Sequence, residues 1–367
     1  MMLYCIVMKG VTMSIDIKYY KTLDTFVRDC KGDNNRYLLF IAQECKFYIS
    51  LLKNSKIEAY GAIFPEIILD TISYKEGLIA YKLNKNEKVF LQQDINNLTL
   101  KEDDFENINS VITFVDGLSL NINSYLDSLY ELLAPETQVI GGGAGKIPFE
   151  QKENIFSNEG IYKEAALIIC LENKIKVGFE HGWSLMQEQA IATLSKENTL
   201  FQIDYINAYE FYKSMIEKDL NKTILDEELE TYLKTYPLGL VKFDNEILVK
   251  EIIKINKDKS LVLGSSIPQN SIINFLKGEK DVVIEASKKA ALKAVENCNN
   301  KQKAVFLFEC VSRRLFLDEN HKNEIEIIKE NINEKLLIGL LTLGEIVNNN
   351  DMNINFYNKT CIVGALC

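Results

Sequence analysis

Hydrophobic residues along this chain follow two periods, one typical of buried strands and the other of amphipathic helices. Predominantly apolar runs of strand length occur at 36–42, 57–63, 110–115 and 304–308. Between such runs, apolar residues recur every three or four positions, most clearly at 119–133 and 279–297. Strands and helices that alternate in this way predict an α/β fold with mixed β-sheets and flanking helices.

The same criteria assign the remaining elements. Two pairs of runs separated by short polar turns predict two β-hairpins, 78–83 with 88–92 and 165–171 with 174–179. Helices are predicted at 43–52, 208–219 and 226–236, and strands at 198–204, 247–255, 260–263 and 335–343. The glycine run from Gly141 to Gly145 follows a strand at 137–140 and predicts a tight turn or the wall of a ligand pocket.

These elements predict two lobes, with a boundary near Asn207. Residues 1–36 form an N-terminal extension and lead-in, 37–206 an N-terminal domain and 207–367 a C-terminal domain. No repeat of 20 to 50 residues is visible in the sequence. Each half nevertheless runs strand, helix and strand towards a glycine-containing loop, so a distant duplication is an additional interpretation.

Candidate chemistry lies where two apolar runs of the C-terminal half end. One run ends at Cys310, which precedes Arg313 and Arg314, and the other ends at Gly344 and Glu345. A thiol at a helix N-terminus beside two guanidinium groups is expected to have a lowered pKa. Three interpretations of Cys310 stay open, namely a small buried thiol, part of an anion-binding pocket with Arg313, and a nucleophile.

Arg313 and Glu345 also allow two interpretations. They are suited to form an ion pair with each other, or to bind the carboxylate and ammonium of an amino-acid-like ligand. No motif ties a histidine to Cys310 as an activating base, which argues against catalysis. The glycine run, including Gly142 and Gly143, lacks the glycine and hydroxyl spacing of a phosphate-binding loop, which argues against nucleotide hydrolysis.

Composition narrows the function further. Lys and Arg number 42 against 52 Asp and Glu, so the net charge of −10 provides no positive field for nucleic acid. The eight cysteines contain no C-x-x-C pair and suit free thiols in a reducing cytoplasm. With only two histidines, no zinc or other metal site is predicted. No apolar run reaches the length of about 18 residues needed for membrane insertion.

Several short motifs resemble the FIST (F-box and intracellular signal transduction) sensory domain proteins. In the C-terminal half they are Cys310-Val311-Ser312-Arg313, Thr342-Leu343-Gly344-Glu345 and Asn358-Lys359-Thr360. In the N-terminal half they are Gly61-Ala62-Ile63-Phe64-Pro65, Gly141 to Gly145, and Gly182-Trp183. The resemblance spans about 38–366. Ser312 stands where the family usually has glycine, and Leu340, Leu341 and Leu343 replace aromatic residues, which implies a drier pocket.

The resemblance implies a stand-alone cytoplasmic sensor that binds a small molecule in a cleft between the lobes and signals to a separate protein, such as a kinase or a cyclic-nucleotide enzyme. The cleft residues expected are Gly142, Gly143, His181, Trp183, Cys310, Arg313, Gly344 and Glu345. Some relatives bind haem and sense nitric oxide, which makes His181 a candidate axial ligand; the competing interpretation is a histidine hydrogen-bonded at a strand end. A thiol enzyme that uses Cys310 and a purely structural scaffold are two further hypotheses for the function.

Overall fold

The protein is described by a computed structural model over residues 16–242, 246–296, 298, 303–333, 335–348 and 353–367. Residues 1–15 of the predicted lead-in lie outside these ranges. Mixed β-sheets with flanking helices make up the described chain, and the predicted α/β class is confirmed. Among the described residues, no helix is both long and apolar enough to cross a membrane.

Most of the molecule consists of three structural repeats with one pattern of elements. The first repeat contains β1 (Ile17–Tyr20), α1 (Leu23–Asp29), β2 (Arg36–Ala42), α2 (Ile49–Ser55), β3 (Glu58–Phe64), β4 (Ile67–Leu69), β5 (Ile72–Tyr74) and β6 (Leu78–Leu83). The second contains β7 (Lys88–Gln92), a 3-10 turn (Glu102–Phe105), β8 (Ser110–Asp116), α3 (Ile122–Leu132), β9 (Gln138–Ala144), β10 (Ile155–Ser157), β11 (Gly160–Tyr162) and β12 (Ala166–Leu171).

The third repeat is interrupted by an inserted domain, which we define as residues 184–277. The repeat begins with β13 (Ile175–Glu180). The inserted domain contains β14 (Ser184–Ala192), β15 (Leu194–Lys196), β16 (Thr199–Ile203), β17 (Ile206–Asn207), α4 (Ala208–Leu220), a 3-10 helix (Asp226–Tyr232), β18 (Leu238–Val241), β19 (Ile247–Lys250), β20 (Ile252–Ile255), β21 (Leu261–Leu263) and β22 (Ser271–Lys277). The repeat resumes with α5 (Lys280–Glu296), β23 (Ala304–Cys310), α6 (Val311–Leu317), a 3-10 turn (Asp318–Asn320), α7 (His321–Glu330), β24 (Leu337–Thr342), β25 (Glu345–Asn348), β26 (Ile354–Tyr357) and β27 (Cys361–Leu366).

Each repeat forms a six-stranded sheet that is completed by the hairpin of another repeat. The strand orders are β1-β6-β2-β3-β10-β11, β7-β12-β8-β9-β25-β26 and β13-β27-β23-β24-β4-β5. In every sheet the third and fourth strands are parallel and their other neighbours are antiparallel. The exchanged hairpins close a ring of three sheets, which we call the repeat core. Both halves of the sequence contribute strands to it, so the boundary near Asn207 does not separate two independent sheet systems.

The centre of the repeat core is aromatic. Phe40, Phe114 and Phe308 occupy the same position on the first parallel strand of the three sheets. The ring centroid of Phe114 lies 5.7 Å from that of Phe40 and 6.0 Å from that of Phe308. Burying one such side chain contributes about 1.5–3 kcal/mol to the free energy of folding. The three phenylalanines therefore stabilise the packing of the three sheets against one another.

Two features of the predicted secondary structure are wrong. Neither predicted hairpin forms, because β6 and β7 lie in different sheets, as do β12 and β13. The short polar turns that suggested hairpins are instead the connections from one repeat to the next. The glycine run is not a turn either, since Gly141 to Gly143 lie inside β9.

Of the predicted helices, 43–52 begins later, at Ile49, and 226–236 is a 3-10 helix.

The inserted domain has its own hydrophobic core, in which α4 packs on two small sheets. Two linkers, at 181–183 and 278–279, connect it to the repeat core. The linkers lie against each other, because a Cβ atom added to Gly278 would be 2.7 Å from Trp183 Nε1. The chain therefore enters and leaves the inserted domain at one place, where Trp183 is packed with only 3% of its surface exposed.

Candidate functional site

A cleft lies between the repeat core and the inserted domain. It has a smaller part of about 160 Å³ and a larger part of about 210 Å³, and both are lined by Gly117, Leu118, Ile253 and Gly264. The cleft is at the carboxyl ends of β8, β23 and β24, which belong to the parallel strand pairs of two sheets. Ligands of open α/β sheets bind at this end of the strands, because connecting loops diverge there without disturbing the core.

The wall formed by the repeat core is mostly apolar. The smaller part of the cleft is lined by Cys310, Val311 and Leu315, together with the turn of Leu343 and Gly344. Gly344 has a φ of +104°, and a Cβ atom on it would be 2.2 Å from the ring of Phe356. Only glycine fits this turn, so the shape of the wall is fixed by backbone geometry.

The opposite side of the cleft is more polar. Glu251 lines it, and its carboxylate is 3.4 Å from the Nζ atom of the fully buried Lys359. Asn358 also lines the cleft and accepts a hydrogen bond from Ser265, which in turn accepts one from Lys250. Burial lowers the pKa of Lys250 to about 8. An occupant of this cleft would therefore contact an apolar wall on one side and carboxylate, amide and hydroxyl groups on the other.

Glu345 lies one layer behind the cleft and is fully buried. Its carboxyl group accepts hydrogen bonds from the hydroxyl of Thr342 at 2.8 Å and from the backbone N–H of Thr360 at 3.2 Å. Burial raises the pKa of Glu345 well above its usual range, so the carboxyl group is held in its neutral form. Gly142 faces Glu345 across β9 and β25, which places the glycine run directly behind the cleft wall.

Cys310 is a buried thiol rather than a thiolate. Its Sγ atom is 3.3 Å from the hydroxyl of Ser312, and only 2% of the residue is exposed. Burial raises its pKa far above the usual value. The expectation of a lowered pKa is wrong, because the cost of desolvating the thiolate exceeds the effect of a two-turn helix and because Arg313 is engaged elsewhere.

We expect Cys310 to react slowly with iodoacetamide at pH 7.5, because alkylation requires the thiolate. The half-buried Cys45 should be modified first among the described free cysteines, at least about tenfold faster than Cys310. Peptide mapping by mass spectrometry would give both rates, and Cys45→Ser provides the control. Alkylation of Cys310 as fast as that of Cys45 would contradict the buried-thiol assignment.

Arg313 is fully buried and pairs with Glu324, not with Glu345. Its guanidinium also donates hydrogen bonds to the backbone carbonyls of His181, Val283 and Lys359, to the hydroxyl of Ser287, and stacks over Trp183 at 5.4 Å. All of its donor groups are thereby used within the protein. Arg313 connects α6 to the linkers of the inserted domain and leaves no donor for an anionic ligand.

His181 accepts a hydrogen bond from the backbone N–H of Trp183 through Nδ1, at 3.0 Å. Burial and the charge of Arg313 lower its pKa to about 4, so the ring is neutral and its proton lies on Nε2. A histidine that binds iron through Nε2 needs the opposite tautomer, in which Nδ1 is the donor. The neighbouring cavity is also lined by the charged Glu180, Glu246 and Lys293. These residues do not fit haem.

The predicted site residues therefore fall into three groups. Cys310 and Gly344 line the cleft, and Gly142, Gly143 and Glu345 lie behind its wall. Arg313, His181 and Trp183 lie together at the linkers of the inserted domain. The cleft residues of the inserted domain were not predicted, since they come from strands and loops without a motif.

Two further features were missed by the sequence analysis. Cys298 and Cys367 form a disulfide with Cα atoms 5.6 Å apart, where only free thiols were expected. Glu309, His321 and Glu324 also meet in a buried cluster. The one signal for this cluster was a glutamate at the end of the strongly apolar run before Cys310.

Comparison with known protein families gives matches to two adjacent domains. The FIST N domain matches residues 50–206, and the FIST C domain matches residues 208–348. No curated protein matches the chain. The two domains meet where the sequence analysis placed its boundary, although the three-repeat core begins earlier, at Ile17, and ends later, at Leu366. This chain belongs to the FIST family, whose domains are sensory domains in signal transduction.

Proposed function

We propose that this protein is a sensor that binds an amino-acid-like or other small metabolite in the cleft between the repeat core and the inserted domain. It then transmits the bound state to a separate signalling protein, such as a kinase or a cyclic-nucleotide enzyme. The main support is the position of the cleft beside the linkers through which the chain enters and leaves the inserted domain. An occupant that contacts both sides would change how the inserted domain is held against the repeat core.

Two contacts support coupling between the cleft and the linkers. Lys359 lies 3.4 Å from Glu251 in the cleft wall and 5.1 Å from the ring of Trp183 at the linkers. Arg313 is one helical turn after Cys310 in α6 and binds the carbonyl of His181. A ligand that displaces Glu251 or α6 would therefore alter the surroundings of Trp183.

No catalytic step is part of this proposal. The groups in contact with Cys310 are a hydroxyl and a neutral carboxyl, and neither activates a thiol. The haem hypothesis lacks support because the tautomer of His181 is the wrong one for ligation. Neither the thiol enzyme nor the haem sensor has an observation in its favour comparable to the cleft.

We expect a ligand of this cleft to raise the melting temperature and to change the emission of Trp183, the sole tryptophan. A ligand at a hundredfold excess over its Kd raises the free energy of unfolding by about 2.7 kcal/mol. A thermal-shift screen of amino acids, nucleotides and short carboxylic acids is sensitive enough to detect such a change. Trp183 is nearly buried between Arg313 and Lys359, and a small displacement of either cation would shift its fluorescence.

Leu118→Arg should abolish both signals, because Leu118 lines both the smaller and the larger part of the cleft and the substitution places a charge there. Leu225→Arg is the matched control, since Leu225 is an exposed leucine of the inserted domain outside the cleft. Stabilisation that survives Leu118→Arg would place the ligand elsewhere. A screen without any stabilising compound would count against small-molecule sensing.

A further inference from the structure

Glu309, His321 and Glu324 form a buried cluster on the side of β23 opposite to the cleft. Side chains alternate along a strand, so Glu309 faces α5 and α7 while Phe308 and Cys310 face the other way. His321 and Glu324 are three residues apart in α7 and share one face of that helix. The exposed fractions are 0% for both glutamates and 4% for the histidine.

The geometry of the cluster resembles a set of ligands around one cation. His321 Nε2 is 3.0 Å from both carboxylate oxygens of Glu309, and one ligand atom from each of the three residues lies within 4.8 Å of the others. Bonds of about 2.0–2.2 Å from a metal to nitrogen and oxygen place neighbouring ligand atoms about 3 Å apart. His321 and Glu309 already have this spacing.

Two carboxylate oxygens of the cluster have no hydrogen-bond donor. Arg313 satisfies Oε1 of Glu324, but Oε2 of Glu324 is buried without a partner. Nε2 of His321 carries at most one proton and can donate it to only one oxygen of Glu309. Oε1 of Glu309 therefore also lacks a donor. Leaving carboxyl oxygens without a partner in a buried space is costly, so their convergence points to a positively charged group between them.

We infer that Glu309, His321 and Glu324 bind one divalent transition-metal ion of the zinc or manganese type. One imidazole nitrogen and two carboxylates are ligands that these ions accept, whereas calcium prefers six to eight oxygens. Arg313 and Ser287 contact Glu324 from outside the cluster and would orient it, as groups behind metal ligands commonly do. This inference does not rest on the proposed sensing function.

An entry route and a consequence both follow from the surroundings. His321 also lines a surface cavity of about 480 Å³, whose other lining residues include the carboxylates Glu66, Asp318 and Glu319. Lys75, Arg314 and Lys322 also line this cavity and balance the charge of the acids, so it offers a polar route to His321 rather than an attractive field. A bound ion would hold α7 against β23 and, through Glu324 and Arg313, would stabilise the attachment of the inserted domain.

Titration of Zn²⁺, Mn²⁺ and Co²⁺ into full-length protein previously dialysed against EDTA tests the inference. We expect one equivalent to bind, with a rise in melting temperature and, for Co²⁺, visible absorption bands from its coordination. Glu309→Gln and His321→Gln should each weaken binding by at least about 10–100-fold, the range seen even for groups behind the ligands. Glu319→Gln, an exposed acid of the same cavity, should leave the affinity unchanged.

Circular dichroism would establish that the variants are folded, and the wild-type titration is decisive even if they are not. Absence of binding by all three metals would overturn the inference and would leave a proton shared by the two glutamates as the explanation for their unpaired oxygens. Binding that Glu309→Gln and His321→Gln do not affect would also overturn it, since the ion would then lie elsewhere.

Discussion

Replacing Arg313 by methionine is expected to lower the free energy of unfolding by about 3–5 kcal/mol, the range for breaking a fully buried ion pair. The substitution leaves the buried Glu324 without its cation and removes one donor from each of three backbone carbonyls. Each unpaired buried acceptor adds to the cost because it cannot recover its hydrogen bond from water. Urea denaturation in the presence of EDTA, which removes any metal contribution, would measure the loss.

Arg314→Met is the matched control. Arg314 is the adjacent arginine in α6, its side chain is 27% exposed, and its carboxylate partner Glu66 is 3.8 Å away. Such an exposed pair contributes about 0–1 kcal/mol. The double variant Arg313→Met, Glu324→Leu should regain part of the stability, because it removes both buried charges together. A single Arg313 variant as stable as the Arg314 variant would show that Arg313 does not hold the linkers.

A neutral substitution at Arg313 should also alter Trp183. The guanidinium stacks on the indole ring at 5.4 Å and binds the carbonyl of His181 two residues earlier. Its loss would free the linker from α6, and the fluorescence of the folded variant would report that change. The same residue thus stabilises the fold and joins α6, which lines the cleft, to the linkers of the inserted domain, although Arg313 itself faces away from the cleft.

The central strands of the fold could be predicted from the sequence because they are buried on both faces. Runs such as 37–42 and 304–308 are apolar throughout, and they lie in β2 and β23. The pairing of the strands could not be predicted. An apolar run specifies burial but not its neighbour, and the short turns after β6 and β12 are as suitable for a hairpin as for the link to another sheet.

The threefold repeat was hidden for two physical reasons. The insertion of residues 184–277 separates β13 from the remainder of its repeat, and the repeats retain few identical residues because many apolar side chains fill a sheet core equally well. Thr113, for example, lies at the position of Leu39 and Leu307. What the repeats share is a phenylalanine at the centre and a glycine where the exchanged hairpin pairs.

The position of Cys310 and Gly344 in the cleft could be predicted, since both follow directly from the ends of parallel strands. The Glu309, His321 and Glu324 cluster could not. It depends on how α7 packs against β23, and the sequence separation of Glu309 from the two helix residues carries no motif. The wall of the cleft that the inserted domain forms could not be predicted either, because Glu251 approaches Cys310 only through the folding of the inserted domain.

The largest backbone effects are expected at the shared glycine of the second parallel strand, which is Gly61, Gly141 and Gly339 in the three sheets. A Cβ atom on Gly141 would be 1.8 Å from the carbonyl oxygen of Thr113, and one on Gly61 would be 2.1 Å from that of Leu39. Backbone atoms of a neighbouring strand cannot move aside without breaking the ladder. Gly141→Ala and Gly61→Ala should therefore cost about 3 kcal/mol or more, at or above the usual range for overpacking.

Gly339→Ala is the internal control supplied by the repeat itself. The nearest atoms to its added Cβ are the side chain of Ile68, at 2.9 and 3.0 Å, and no backbone carbonyl lies as close as in the other two sheets. The nearest of these atoms is the Cβ of Ile68, so a shift of a few tenths of an ångström in the β4 hairpin relieves the contact, and the cost should fall in the lower part of the roughly 1–3 kcal/mol range. Urea denaturation of the three alanine variants would rank them. Gly339→Ala as damaging as Gly141→Ala would mean that the three sheets are packed more alike than these distances indicate.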